Sequence, residues 1–255
     1  MLNQSEASVF FASDLHLGTP NYEDSRQRED KFIRWLDSIT PQLKVLYLMG
    51  DVFDYWFEYK TVVPKGYVRL LGKMAFLSDA GVAIHIFTGN HDLWMRDYFE
   101  KEMNIRVYKT PQVHKILGKT FFLAHGDGLG PKDYGYKWLK KVFINPFCQW
   151  AYRQVHPDLS TRVATFFSKS SRNAQTPLTD LGENLDPNNE WLYLYAQKKL
   201  TIQHYDYFIF GHRHLPINLS LSNESRYINL GDWINFFTYA KFDGENLELC
   251  RFDEH

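Results

Sequence analysis

The sequence predicts a layered α/β fold, and three observations carry that expectation. Short β-branched and aromatic runs alternate with stretches whose apolar residues recur at helical spacing. From Tyr207 onward the pattern changes to strand-like runs separated by Gly, Asn and Asp. Between these two parts lies a basic, aromatic stretch that reads as an insertion.

Taken in order, Val9–Ala12 is a first strand. Between Arg26 and Ile39, the residues Phe32, Ile33, Leu36 and Ile39 form one helical face. Val45–Met49 is a second strand, Val68, Leu71, Met74 and Ala75 mark a second helix, and Val82–Thr88 and Thr120–Ala124 are further strands. Strands and helices in alternation bury a sheet under helices. Residues 130–186 show helical patterning, then a polar loop from Asn173 to Asn189, and are expected to form a cap inserted into a single domain spanning 1–255. Tyr207–Phe210, Ile217–Leu221, Tyr227–Leu230, Phe236–Phe242 and Leu247–Phe252 read as meandering β structure that closes a second sheet.

A chain of 255 residues, 44% hydrophobic and 17% aromatic, has ample apolar surface for a core, which excludes disorder and fibrous structure. The formal charge of −1 excludes a globally basic, nucleic-acid-coating surface. That average hides a local excess. Residues 132–172 carry eight Lys/Arg against Asp133 and Asp158, a net +6, which leaves −7 on the rest of the chain. Cys148 and Cys250 alone make no disulfide framework and fit a reducing compartment. The N-terminal residues lack signal-peptide features and no apolar run reaches the roughly 18 to 20 residues of a spanning helix, so a cytoplasmic location is expected.

The informative residues fall at the strand ends. Five apolar runs deliver, in turn, Asp14 and His16, Asp51, Asn90, His125, and His212 with His214. Carboxyl ends of strands line the ligand crevice of open α/β sheets, so five such loops can converge. Asp, His and Asn without nearby cysteine suit Mn²⁺, Fe²⁺, Zn²⁺ or Mg²⁺. Asp51, central in the set, can bridge two ions, and the seven side chains then divide into two four-ligand shells sharing one member. Two ions so held would activate water and polarise a phosphoryl group. His91, next to Asn90, is placed to protonate a leaving oxygen, and Asp54 and Asp127 read as groups that orient histidines or loops. Gly50, Gly89 and Gly211 are expected to permit tight, positive-φ turns before the ligands. His85 reads as a strand residue, and His114, His156, His204 and His255 as structural or exposed.

Asp14-x-His16, Gly50-Asp51-x-x-Asp54, Gly89-Asn90-His91-Asp92, His125-Gly126-Asp127 and Gly211-His212-x-His214 resemble the calcineurin-like metallophosphoesterase superfamily, in its order and across nearly the whole chain. The resemblance implies a four-layer fold of two mixed sheets flanked by helices. It also implies one ion on Asp14, His16, Asp51 and His214, a second on Asp51, Asn90, His125 and His212, and catalytic roles for His91 and the adjoining Asp92. Within the superfamily the chain is similar to the UDP-2,3-diacylglucosamine diphosphatases of lipid A synthesis. The residues concerned are Ser13-Asp14-Leu15-His16-Leu17, Gly50 to Trp56, His125 to Leu129 with Asp133 and Tyr136, Asn145-Pro146 and Gly231-Asp232-Trp233. That similarity implies cleavage of a lipid-linked nucleotide to UMP and 2,3-diacylglucosamine 1-phosphate, with Mn²⁺ and an acyl-holding helical cap. The best-known branch has arginine where this chain has His91.

Trp138, Phe143, Phe147 and Trp150 in the insertion are spaced to give one apolar helical face, with Lys137, Lys140 and Lys141 beside it. Such a helix suits a lipid headgroup or peripheral association with the cytoplasmic face of the inner membrane; its alternative is a core-facing helix with a solvated basic side. Asp133, Tyr136, Lys169 and Arg172 are candidate substrate-binding residues. Other readings are a phosphoesterase acting on a nucleotide or other soluble ester, and a non-catalytic scaffold. A nucleic-acid substrate is not expected, because the basic charge is confined to an apolar-rich cap.

Overall fold

A computed structural model of the chain describes residues 8–130, 134–163 and 186–253. Two mixed sheets stack face to face. The first has six strands, β1 (Ser8–Ala12), β2 (Leu43–Leu48), β3 (Ala83–Phe87), β4 (Arg106–Tyr108), β10 (Thr238–Phe242) and β11 (Leu247–Arg251), in the order β11-β10-β1-β2-β3-β4. The second has five, β5 (Gln112–Ile116), β6 (Lys119–Leu123), β7 (Tyr207–Phe210), β8 (Pro216–Ser220) and β9 (Arg226–Leu230), in the order β5-β6-β7-β9-β8. β1 to β4 run parallel, as do β6, β7 and β9.

Side-chain alternation sorts the apolar residues into layers. On β1, Val9 and Phe11 face the second sheet and meet Phe121, Leu123, Tyr207, Ile209 and Ile228. Phe10 and Ala12 face the other way, under Phe32, Trp35, Leu36, Leu70 and Met74 of helices α1 (Tyr22–Ile39) and α2 (Val68–Asp79). The outer face of the second sheet, through Phe122, Phe208 and Phe210, packs on Leu192 and Ala196 of α6 (Trp191–Leu200). Helices, sheet, sheet, helix make the four layers expected. Strands buried on both faces explain why the runs are continuously apolar.

The structure corrects the reading in three places. The C-terminal strands do not all close the second sheet, because β10 pairs antiparallel with β1, Phe11 opposite Ala240, and carries β11 with it into the first. Alternation fixes a strand's faces but not its partner. The short strand β4, the polar edge strand β5 and the six-residue α3 (Tyr98–Met103) are additions to the expected elements, as is α6, whose apolar residues lie all round the helix rather than on one face. The insertion's aromatics do not share one helical face. Asn145 caps a new helix through Phe147 N at 2.9 Å, with Pro146 in its first turn, so the chain breaks into α4 (Tyr134–Ile144) and α5 (Pro146–Tyr152). Phe143 packs on Trp94, whereas Trp138, Phe147 and Trp150 are 67%, 72% and 57% exposed.

The described part of the insertion is tied to the sandwich by polar contacts. Trp94 Nε1 donates to Phe143 O at 2.7 Å, Arg153 to Glu58 O at 3.3 Å and Lys140 Nζ to Asp127 Oδ2 at 2.5 Å, and Tyr59 and Ser160 share a hydroxyl contact.

Candidate metal centre

The loops after β1, β2, β3, β6 and β7 all leave the same edge of the sandwich, because these strands are parallel within each sheet and the two sheets stack. Their backbones are laced together. Asp14 N donates to Gly50 O at 3.0 Å, His16 N to Asp51 O at 2.9 Å and Gly211 N to His125 O at 2.9 Å. Asp14, His16, Asp51, His212 and His214 all have positive φ, between 45° and 68°. Non-glycine residues occupy that region at a cost of order 1 kcal/mol or more each, so the surrounding structure enforces it. Of the three glycines expected to take such turns, only Gly50 does, at φ 102°. Gly89 and Gly211 serve differently: a Cβ on Gly89 would overlap the Asp51 carboxylate, and one on Gly211 would lie 2.5 Å from Asp14 Oδ2.

Six histidine and aspartate side chains expected as ligands meet here, with His91 beside them. Asp14, His16 and His214 form one group whose nitrogen and oxygen atoms lie within 4.8 Å of one another, and Asp51, His125 and His212 form another. A third group, His16, Asp51 and His91, joins the two. His125 Nε2 is 3.2 Å and His16 Nε2 3.6 Å from Asp51 Oδ2, and His214 Nε2 is 3.2 Å from Asp14 Oδ1. The Nε2 atoms of His16 and His214 face each other at 3.1 Å. Asn90 Oδ1 is buried without a hydrogen-bond partner. Buried carboxylates, facing imidazole nitrogens and an orphaned amide oxygen, with no sulfur, form a donor set that divalent cations would satisfy.

The buried acids and histidines of the cluster shift one another's protonation. Burial opposes ionisation of Asp14, yet His214 and His16 hold its carboxyl well below the usual range. Asp51 is likewise held low by His125 and His91 against its burial. Burial alone would lower His125 and His214, but Asp51 raises the first to about 10 and Asp14 and Asp232 raise the second to about 10. His212 is pushed down to about 4 by burial and by neighbouring His125.

Supporting groups fix the rings. His125 Nδ1 donates to Met49 O at 2.8 Å, which aims Nε2 inward, and His16 Nδ1 lies 3.5 Å from Asp54 Oδ1. His91 Nδ1 is 3.2 Å from Asp54 O, so Nδ1 is the donor and Nε2 the outward atom. Asp92 does not have the reach that its catalytic assignment requires. It is fully buried, its Oδ1 accepts from Gly89 N at 2.7 Å and its Oδ2 from Val52 N at 2.9 Å, so it staples the β2 and β3 loops. Burial and the Asp51 charge raise its pKa to about 7. Asp127, 6% exposed, accepts from Lys140 of α4.

Two contributors escaped the sequence reading. Asp232 Oδ2 lies 3.3 Å from His214 Nδ1, while its Oδ1 accepts from the N–H groups of Ile234, Asn235 and Phe236. Its only sequence signal was its place in the Gly231-Asp232-Trp233 turn. Arg28, in mid-helix, donates Nη1 to the carbonyls of Leu15, His16 and Thr19 at 3.0, 2.9 and 3.1 Å and so holds the loop that carries Asp14 and His16. Asp133, Lys169, Arg172 and His255 lie outside the described residues, as does the side chain of Tyr136. The remaining histidines sit apart: His85 stacks on Tyr47, His114 Nδ1 is 2.8 Å from Tyr47 Oη, and the side chains of His156 and His204 are 75% and 55% exposed.

Comparison with known proteins gives this arrangement a context. Residues 7–216 match the family model described as calcineurin-like phosphoesterase. A protein of Porphyromonas gingivalis named UDP-2,3-diacylglucosamine hydrolase is 40% identical over 95% of this chain and 97% of its own length. Proteins of the same name from Pseudomonas putida and Edwardsiella ictaluri are 27% and 24% identical, covering 96% and 97% of this chain and 99% and 93% of their own.

Proposed function

The chain belongs to the calcineurin-like phosphoesterase family, and on that premise we propose that it hydrolyses the diphosphate of UDP-2,3-diacylglucosamine to UMP and 2,3-diacylglucosamine 1-phosphate. The observation that carries the reading is the convergence of two ligand groups on either side of Asp51, in a chain alike over 95% of its length to a relative of that name. Asp14, His16, Asp51 and His214 would hold one divalent ion, and Asp51, Asn90, His125 and His212 the other. When bound, such ions supply Lewis acidity to the diphosphate and a water acidified enough to attack it. Mn²⁺ is the ion expected.

The chain's own groups do the rest. The ligand loops, laced together by backbone hydrogen bonds, hold the carboxylates and imidazoles in place before substrate arrives. His91 donates Nδ1–H to Asp54 O and presents Nε2; with both ring nitrogens protonated, a form that burial disfavours and the Asp51 charge favours, Nε2–H gives its proton to the leaving oxygen and leaves the ring neutral with Nδ1–H in place. Residues 130–186 would act as the cap. Phe147 and Trp150, exposed on α5, suit an anionic lipid interface on the cytoplasmic face of the inner membrane. No helix among the described residues is long and apolar enough to cross a membrane.

The direct test is UMP release from UDP-2,3-diacylglucosamine by the pure protein with Mn²⁺. Hydrolysis of simple phosphodiesters without UMP release would leave a phosphoesterase of soluble esters instead. Changing His91 to Ala is expected to slow UMP release about a hundredfold while both ions remain bound, measured by metal content beside kinetics. Loss of metal in that variant would make His91 a ligand rather than a catalytic group.

Metal uptake should expel protons. With His125 and His214 raised to about 10, both are charged throughout the neutral range, and a cation can bind only as they lose a proton each. Apparent affinity therefore rises with pH between 6 and 9. Titration of the chelator-treated protein in buffers of different ionisation enthalpy should return about two protons released per filled centre. Heats independent of the buffer would contradict the assignment.

A further inference from the structure

Beside the centre, between the β4–β5 loop, the loop after β6 and helix α4, lies a groove of about 480 Å³. It reaches the centre at His125. Among the described residues, Lys109, Lys137, Lys140 and Lys141 line it, with Asp127 the one acid. Lys137 and Lys140 are held by the protein itself, Lys137 Nζ on Gly130 O and Lys140 Nζ on Asp127 Oδ2, each at 2.5 Å. Lys109 and Lys141 are exposed at the groove and supply charge beyond that internal pairing. Tyr108 at the end of β4 and Trp138 on α4 add flat aromatic surface to the same walls.

We propose that this groove seats the nucleotide half of the substrate, a pyrimidine nucleoside monophosphate. The inference rests on the diphosphate-hydrolase reading above and says which half of that substrate goes where. One half carries two acyl chains; the other carries a phosphate, a ribose and a planar base. Leu129 and Ile144 also line the groove and suit the faces of a base and ribose, whereas an acyl chain filling it would lie against the ammonium groups as well and desolvate them without a partner. A phosphate pairs with them, and a base stacks on aromatic faces while its polar edges stay hydrogen-bonded. The volume falls in the range of small-ligand sites, and the mouth at His125 brings the phosphate end to the centre.

The experiment is product inhibition of the Mn²⁺-loaded enzyme by UMP, by inorganic phosphate and by the diacylglucosamine phosphate, in the parent and in Lys109→Ala/Lys141→Ala and Trp138→Ala. All three positions are exposed, so folding is not at risk. The lysine pair is expected to weaken UMP inhibition about tenfold and raise KM for the nucleotide substrate by a similar factor. Inhibition by the lipid product should not change. Trp138→Ala should weaken UMP but not inorganic phosphate, which separates base stacking from bare anion binding. Unchanged UMP inhibition in both variants, or weakened inhibition by the lipid product instead, would overturn the subsite while leaving the activity standing. A parent protein that releases no UMP at all would sink the underlying reading as well.

Discussion

Turnover of an Asp51→Asn protein is expected to fall by about three orders of magnitude or more, equivalent to roughly 4 kcal/mol of lost transition-state stabilisation. Asn keeps the shape of the side chain, and its carbonyl oxygen can still accept from His91 N, which lies 2.9 Å from Asp51 Oδ1. The negative charge that both ligand groups share is lost. Asp51 Oδ2 is the atom that approaches His16 Nε2 at 3.6 Å and His125 Nε2 at 3.2 Å, so one substitution weakens both halves of the centre together. Replacing a side chain proposed for only one half, such as Asn90, is expected to leave the other half intact. Steady-state kinetics, metal content and circular dichroism on one preparation decide the matter. A folded Asp51→Asn protein that keeps more than about a tenth of its activity would remove Asp51 from the bridging role.

Arg28→Met should destabilise the protein by about 3 to 5 kcal/mol and weaken Mn²⁺ binding at the same time. The guanidinium serves three backbone carbonyls in a place only 8% exposed. Each buried acceptor left without a partner costs roughly 1 to 3 kcal/mol. Met preserves most of the side-chain volume, so the loss is of hydrogen bonds rather than packing. At roughly 2 to 4 °C per kcal/mol for a chain of this size, the melting midpoint should drop by about 10 °C. Weaker metal binding follows because the carbonyls belong to the residues around His16, whose positive φ of 45° needs an external restraint. Arg28→Lys should restore part of both losses, since an ammonium can reach one or two of the carbonyls. A melting point and a Mn²⁺ affinity matching the parent would show that the helix does not hold the loop.

The positions that cluster in the candidate centre were legible because each sits where a continuously apolar run stops. A polar residue after such a run has left the sheet, and parallel strands put those exits on one edge. What pattern could not convey was anything set by a partner distant in sequence. The sheet joined by β10 depends on pairing with β1, and nothing in Thr238–Phe242 records that. Asp232 looks like a turn residue until His214 is set beside it. Arg28 looks like a solvated position on a charged helix until the β1 loop folds across it. The glycines misled in a more local way. Backbone freedom is the ordinary value of a glycine before a turn, whereas Gly89 and Gly211 matter because the Asp51 and Asp14 carboxylates occupy the space of a side chain. Pro146, by contrast, was visible and should have divided the cap helix.

His212 N donates to Asp14 Oδ2 across 198 positions of chain, and the His16 and His214 rings meet across the same separation. Contacts of that range close late, since the loop entropy must be met before they yield anything. A nascent chain that has released only the first sheet's early strands holds Asp14, His16, Asp51 and Asn90 but no enclosure for an ion. The cluster is complete only when β7 lies beside β6 and the two sheets are stacked, so its geometry depends on both ends of the chain.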